Sequence, residues 1–148
     1  MADHADDDVG DIFVYRGGRV PRHVTRVRID KSVEEIEEIA FYNCEHLVHV
    51  ETHDGIRRVR KCAFYNCKLL RRIHLKSVVE IGEYAFDGCE NLADVEFGDK
   101  LETIGWCAFK GCRSLQHLNL PSIITIGRLA FWKCMALTDV ELSEDLKQ

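Results

Sequence analysis

Cys44, His46, His49 and His53 stand within ten residues of one another, and thiolates and imidazoles are the ligands zinc prefers. Two cysteine pairs five residues apart, Cys62 with Cys67 and Cys107 with Cys112, raise thiol redox chemistry. The run from Arg57 to Lys76 holds eight Lys or Arg and no acid, the kind of basic stretch that binds phosphate. Each chemistry sets a positional demand. A zinc ion needs ligands converging on one point, a redox pair needs Cys-x-x-Cys spacing, and a nucleic-acid site needs a basic field that no neighbouring acid cancels. Whether those demands are met depends on the elements that carry the residues.

Those elements repeat. Ala-Phe occurs at Ala40-Phe41, Ala63-Phe64, Ala85-Phe86, Ala108-Phe109 and Ala130-Phe131, at intervals of 23, 22, 23 and 22 residues. A fixed period of this size marks a stacked repeat protein. Counting from each Ala, the position seven before holds Val33, Ile56, Val78, Leu101 and Ile123, and four before holds Ile36, Val59, Ile81, Ile104 and Ile126. One before stand Ile39, Cys62, Tyr84, Cys107 and Leu129. After the Ala come a Cys at four, a Leu at seven, an aliphatic residue at ten, and Thr52, Leu75, Phe97, Leu120 and Leu142 at twelve. Thr52 is the one polar slip in an apolar set. Units this short cannot close a core alone, but side by side they bury a continuous one.

Each unit divides in two. Leu-x-x-Val-x-Leu ends in period-2 alternation and predicts a short strand with one buried face. Ala-Phe-x-x-Cys-x-x-Leu has three- and four-residue spacing and predicts a short helical turn. Three after the Ala stand Asn43, Asn66, Gly88 and Gly111, residues that accept a left-handed backbone at the end of a turn; Lys133 departs from this. The one-residue variation in period falls in a loop, His53-Asp54-Gly55 against Lys76-Ser77, where length changes are tolerated.

The sequence resembles the BspA-type leucine-rich repeat family. Its closest units are Leu118-Asn119-Leu120-Pro121 followed by Ile126-Gly127 and Ala130-Phe131, and Ile81-Gly82-Glu83-Tyr84-Ala85-Phe86-Asp87-Gly88-Cys89. The resemblance spans about Val24 to Leu142. It implies an α/β fold, a right-handed leucine-rich-repeat solenoid with short parallel strands on the concave face and short helical turns opposite. It also implies ligand or protein binding rather than catalysis.

On this frame the chemical candidates fare poorly. Cys44 fills an inward repeat slot, His49 alternates with Val50 and faces outward, and His46 and His53 lie in turns, so the four diverge. All seven cysteines occupy apolar slots and behave as small hydrophobes. No Gly-rich phosphate loop, carboxylate pair or nucleophile turn is present, so no catalytic residue, metal or cofactor is expected. Within the basic run, Arg57, Arg58, Arg60 and Lys61 fall 23 residues after Glu34, Glu35, Glu37 and Glu38, while Glu80 and Glu83 flank Arg58 and Lys61 from the next unit. Stacking makes these lateral neighbours about 4.8 Å apart, an interlock that penalises wrong register and cancels the field nucleic acid would need.

The chain of 148 residues reads as one domain: residues 1–11 an acidic disordered tail, 12–32 an N-terminal cap and half-repeat, 33–142 five repeats, and 143–148 a short C-terminal tail. The net charge is −5, and Asp3, Asp6, Asp7, Asp8 and Asp11 account for it. No signal peptide or membrane span is recognisable, and core thiols suit a reducing compartment, so the expected location is intracellular. Phe13 to Pro21 is expected to cover the N-terminal edge. The C-terminal edge, around Phe131, Leu137, Val140 and Leu142, lacks a comparable cap and could pair with another chain.

The remaining candidates face outward from the strands, nine and eleven after each Ala: Arg26 and Arg28, His49 and Glu51, Arg72 and His74, Asp94 and Glu96, His117 and Asn119, Asp139 and Glu141. Basic groups dominate the first half and acidic groups the second. Such a surface suits a non-catalytic module that binds a protein partner of opposite gradient. The alternative is a structural or assembly unit, either a fragment of a longer repeat array or a unit self-associating through the C-terminal edge. Tyr42, Tyr65, Trp106 and Trp132 lie off that face and are expected to cover core edges.

Overall fold

In the computed structural model, residues 11–144 and 146 are described; the expected acidic tail before Asp11 and most of the last four residues lie outside them. The chain winds through short strands in two tracks. In order these are β1 (Phe13–Tyr15), β2 (Arg26–Ile29), β3 (Glu35–Ile36), β4 (His49–Glu51), β5 (Arg58–Val59), β6 (Arg72–Leu75), β7 (Glu80–Ile81), β8 (Asp94–Phe97), β9 (Thr103–Ile104), β10 (His117–Leu120), β11 (Thr125–Ile126) and β12 (Asp139–Leu142). All pairing is parallel, giving a parallel-strand solenoid of about five turns.

The two-residue strands form one unbroken ladder, β3-β5-β7-β9-β11, which stacks Ile36, Val59, Ile81, Ile104 and Ile126 in register. The longer strands form a second track in three pieces, β1-β2-β4, β6-β8 and β10-β12. Both 22-residue steps on this track keep a full ladder, and both interruptions fall on 23-residue steps, at β4 to β6 and β8 to β10; the 23-residue step from β2 to β4 stays paired. Thr52 explains itself at the first interruption. Its hydroxyl donates to the His74 carbonyl at 2.6 Å, a bond that a Leu in this slot could not make.

Between the tracks lies the core. Phe41, Phe64, Phe86 and Phe109 are fully buried. With Phe131 they form a ladder of near-parallel rings whose centroids are 4.8, 5.1, 5.2 and 5.6 Å apart, each offset pair stabilising by about 0.5–1.5 kcal/mol beyond area burial. No charged or polar side chain is buried among the described residues.

The expected helical turns do not form: among the described residues there is no helix. The Ala-Phe corner instead alternates its donors. Ala40 and Tyr42 N–H bond back to Glu37 and Ile39 carbonyls, whereas Phe41 and Asn43 N–H reach the next coil, at the carbonyls of Ala63 and Tyr65 (both 2.7 Å). The same alternation recurs in the following coils. A helix would need all these donors pointing along its own axis. Left-handed residues bracket each corner and stop propagation: Ile39, Cys62, Tyr84, Cys107 and Leu129 at φ 53–59°, and Asn43, Asn66, Gly88, Gly111 and Lys133 at φ 59–79°. In the second set Asn43, Asn66, Gly88 and Gly111 match expectation, and Lys133 adopts the same conformation although its residue type departs from the pattern. The first set corrects an expectation. A left-handed residue before the Ala turns its side chain outward, so Ile39 and Leu129 are exposed and only Cys107 of this slot is buried. Glycine in the Ile-Gly motif has a separate cause. A Cβ on Gly127 would stand 2.6 Å from the Trp106 nitrogen in the coil before it, too close for any side chain.

At the N-terminal end, Tyr15 is buried and tilted against Phe41 at 5.2 Å. Its hydroxyl accepts from Glu37 N–H at 3.2 Å, and Val20 N–H donates to the Ala40 carbonyl at 2.9 Å. At the C-terminal end, Val140 and Leu142 are 40% and 47% exposed, although the matching residues of earlier coils are largely buried.

Candidate functional site

The strand track places the outward residues in lateral rows. Arg26 stands opposite His49 and Arg28 opposite Glu51; Arg72 stands opposite Asp94 and His74 opposite Glu96; His117 stands opposite Asp139 and Asn119 opposite Glu141. Ten of the twelve are exposed, and Arg26 and Asp94 are half-buried. Alternation with buried Val27, Val50, Ile73, Val95 and Leu118 forces this orientation. Two acids on the face are engaged, Glu51 by Arg28 at 3.6 Å and Glu96 by a short contact with His74. Over the β8–β10 interruption a groove of about 390 Å3 opens between His74, Glu96, His117 and Asn119, with Phe97 in its wall. Phe97 also meets Phe109 edge-on at 6.1 Å. Sequence reasoning missed this feature. The signal was available, since Thr52 and Phe97, the two non-Leu residues of their slot, precede the three-residue loops.

The metal candidates diverge. Cys44 is buried with its thiol toward the Pro21 carbonyl at 4.0 Å, and His53 is held by Asp30 O and Gly55 N–H. His46 and His49 are exposed. Among the described residues no three His, Cys, Asp or Glu side chains gather as a metal site would require.

The repeated cysteines form a ladder of their own. The thiols of Cys67, Cys89, Cys112 and Cys134 donate to the carbonyls of Phe41, Phe64, Phe86 and Phe109 at 3.0–3.2 Å. Each of these carbonyls also takes an N–H from its own coil, so the thiol serves the second lone pair, which explains a cysteine better than an alanine there. Burial pushes Cys44 and Cys134 up to about 11 and lifts Cys67 and Cys112 well above the usual thiol range, so these sulfurs stay protonated near neutrality. All seven cysteines are free.

The charge interlock forms in part. Arg58 lies between Glu35 at 3.5 Å and Glu80 at 3.2 Å, and Arg60 meets Glu35 at 3.0 Å. Glu37 turns away to accept from Gly18 N–H at 3.2 Å. Glu34, Glu38, Arg57 and Lys61 form no ion pair among the described residues. The aromatic expectation needs correcting. Trp106 and Trp132 are 53% and 46% exposed rather than covering a core edge, with Lys110 and Lys133 ammonium groups over the Trp132 ring at 5.2 and 4.7 Å. Tyr42 and Tyr65 stack on each other at 4.9 Å.

The fold is shared with bacterial leucine-rich repeat proteins of known structure. One from Eubacterium ventriosum superposes with a TM-score of 0.72 at 25% identity, over 81% of this chain and 33% of that one. The pneumococcal vaccine antigen PcpA gives 0.67 at 26% identity, over 90% of this chain and 35% of that one. A leucine-rich repeat protein from Bacteroides ovatus gives 0.62 at 28% identity, over 84% and 39%. The chain thus spans about a third of the length of these relatives. No curated protein matches the sequence, and no helix among the described residues is long and apolar enough to cross a membrane. Residues 22–138 match the family described as BspA type Leucine rich repeat region in six copies, and the chain belongs to that family.

Proposed function

We propose that the chain is a non-catalytic docking module that holds a protein partner on its strand face, without a cofactor and without nucleic acid. One observation carries this reading. Twelve side chains on one parallel track stand outward in lateral rows, and their charge changes sign from Arg26 and Arg28 at one end to Asp139 and Glu141 at the other. Repeat folds of this class typically act as non-enzymatic scaffolds, and opposed charge along an extended face steers and orients an incoming partner. The free core thiols support a reducing, intracellular setting.

The test is affinity capture from native lysate under reducing conditions. The wild type is compared with a variant carrying Asp94→Lys, Glu96→Lys, Asp139→Lys and Glu141→Lys, checked for folding by its melting curve. A partner held by the wild type and lost from the variant, then confirmed by titration with both purified chains, is the expected result. Equal capture by both refutes the strand-face reading.

A second reading has its own support. Val140 and Leu142 are exposed, and Phe131 and Leu137 only partly covered, at positions that are mostly buried in earlier coils. A structural unit that associates through this edge would change mass with concentration in sedimentation velocity. A constant monomer mass argues against it.

A further inference from the structure

Arg71, Arg72 and Arg113 line an open groove of about 520 Å3 at the margin of the strand face, together with Asp94, Ser114 and Gln116. The residues come from three successive coils, so only the stacked fold assembles them. The backbone around them is pinned. Ala93 and Asp94 N–H both donate to the Arg71 carbonyl, Thr138 N–H donates to the Gln116 carbonyl at 3.0 Å, and the Ser114 hydroxyl donates to the Glu90 carbonyl at 2.8 Å.

The three guanidiniums make no ion pair and no side-chain hydrogen bond among the described residues. This divides the basic run. Arg58 and Arg60 are engaged by Glu35 and Glu80, whereas Arg71 and Arg72 are left with open donors beside Arg113. A guanidinium stays charged at any accessible pH and presents a planar fork suited to carboxylate or phosphate oxygens. The volume lies within the roughly 300–1,000 Å3 of ligand sites.

We infer that this groove receives an acidic segment of the protein partner, with its carboxylates held by Arg71, Arg72 and Arg113. The inference rests on the strand-face reading, since Arg72 and Asp94 belong to both surfaces. Three guanidiniums against one carboxylate leave a positive surplus, and their planar forks match the paired oxygens of a carboxylate. The face beyond the groove decides against nucleic acid. A nucleic-acid backbone following the face would run from this groove toward Glu96, Asp139 and Glu141, where its phosphates face acids.

The test uses fluorescein-labelled hexaglutamate titrated with the full chain and read by anisotropy at low salt. Arg71→Gln with Arg113→Gln is expected to weaken binding about tenfold or more, the size of losing charge-assisted bonds. Arg57→Gln with Lys61→Gln, exposed and without an ion pair among the described residues but outside both the groove and the strand face, is expected to change it less than about twofold. Should the groove variant melt abnormally, Arg113→Lys keeps the charge while removing the fork and is expected to give a smaller, measurable loss. Equal weakening by both double variants, tighter binding of inorganic phosphate or of oligothymidylate, or no saturable binding would overturn the groove. Failure of hexaglutamate while the captured partner still depends on Asp139 and Glu141 would remove the groove and leave the strand face standing.

Discussion

The first and the fifth coil of the described residues are covered in different ways. At the first coil, Tyr15 lies over Phe41 and its hydroxyl takes the Glu37 N–H, so the ring ladder is closed by an aromatic from outside the repeats. At the fifth, Phe131 has Phe109 on one side at 5.6 Å, and β12 leaves Val140 and Leu142 exposed. Identical slots thus carry different energy according to whether a neighbour lies on one side or two. In a stack held by nearest-neighbour contacts, stability is a local property.

Deleting the same ring in two coils measures that difference most directly. Phe86→Ala removes a fully buried ring between Phe64 and Phe109 and is expected to cost about 3–5 kcal/mol in urea denaturation. Phe131→Ala removes a partly covered ring and is expected to cost about 1–2 kcal/mol, because less area leaves water when it folds. Equal losses would mean that the C-terminal edge is covered in solution, and would direct attention to self-association.

A second contrast separates thiols from the rest of the core. Burial holds Cys44 and Cys134 at about 11 in the folded chain, above the ordinary thiol near 9, and also raises Cys67 and Cys112 well above that range. The folded state therefore keeps protons that the unfolded chain releases. The stabilisation from these thiols is complete below about pH 9 and is lost as pH climbs through 9 toward 11, by at most about 1.4 kcal/mol per pH unit for each thiol. Melting temperatures at pH 8 and pH 10.5 check the sign. Cys112→Ala should flatten the fall more than Cys134→Ala, since the interior thiol is the more deeply buried. An unchanged melting temperature across this range would show that the thiols titrate at ordinary values.

Much of this architecture was legible because repetition averages out local ambiguity. Five copies of Ala-Phe-x-x-Cys fix the register of Ile36 on Val59 and of Arg58 on Glu35 without any structural information. The corner conformation was not legible, because a helix and a pair of turns share the three-residue spacing. What distinguishes them is where Phe41 N–H goes, and its acceptor is Ala63 in the next coil. The outward turn of Ile39 and Leu129 was hidden for a related reason: apolar residues there suggest core, whereas a left-handed backbone directs them to solvent. Among the outward strand residues, composition predicted the alternation, but the groove along Arg71 and Arg113 depends on side chains two coils apart and had no periodic signal. Thr52 reads as a defect in an apolar slot because its acceptor, the His74 carbonyl, lies one coil away.

The smallest effect distinguishes the halves of the two-residue ladder. One slot runs Glu35, Arg58, Glu80, Thr103 and Thr125 along the stack, so the N-terminal half is cross-braced by charge and the C-terminal half is not. Glu35→Lys with Glu80→Lys sets one new ammonium group against Arg58 and Arg60 and the other against Arg58. Each pair is exposed and worth about 0–1 kcal/mol, so the expected loss is about 1–2 kcal/mol at low salt, shrinking as salt is raised. Adding Arg58→Glu and Arg60→Glu restores opposite charges across every contact and should recover the loss to within about 0.5 kcal/mol. Thr125→Lys, made as the control in the unbraced half, places a charge whose slot neighbour is the uncharged Thr103, so reversing Arg58 and Arg60 should recover nothing there. Recovery in the first half alone ties the brace to Arg58. Recovery in neither half would mean that apolar stacking of Ile36, Val59 and Ile81 alone sets the register, and that the charges above it are only solvated.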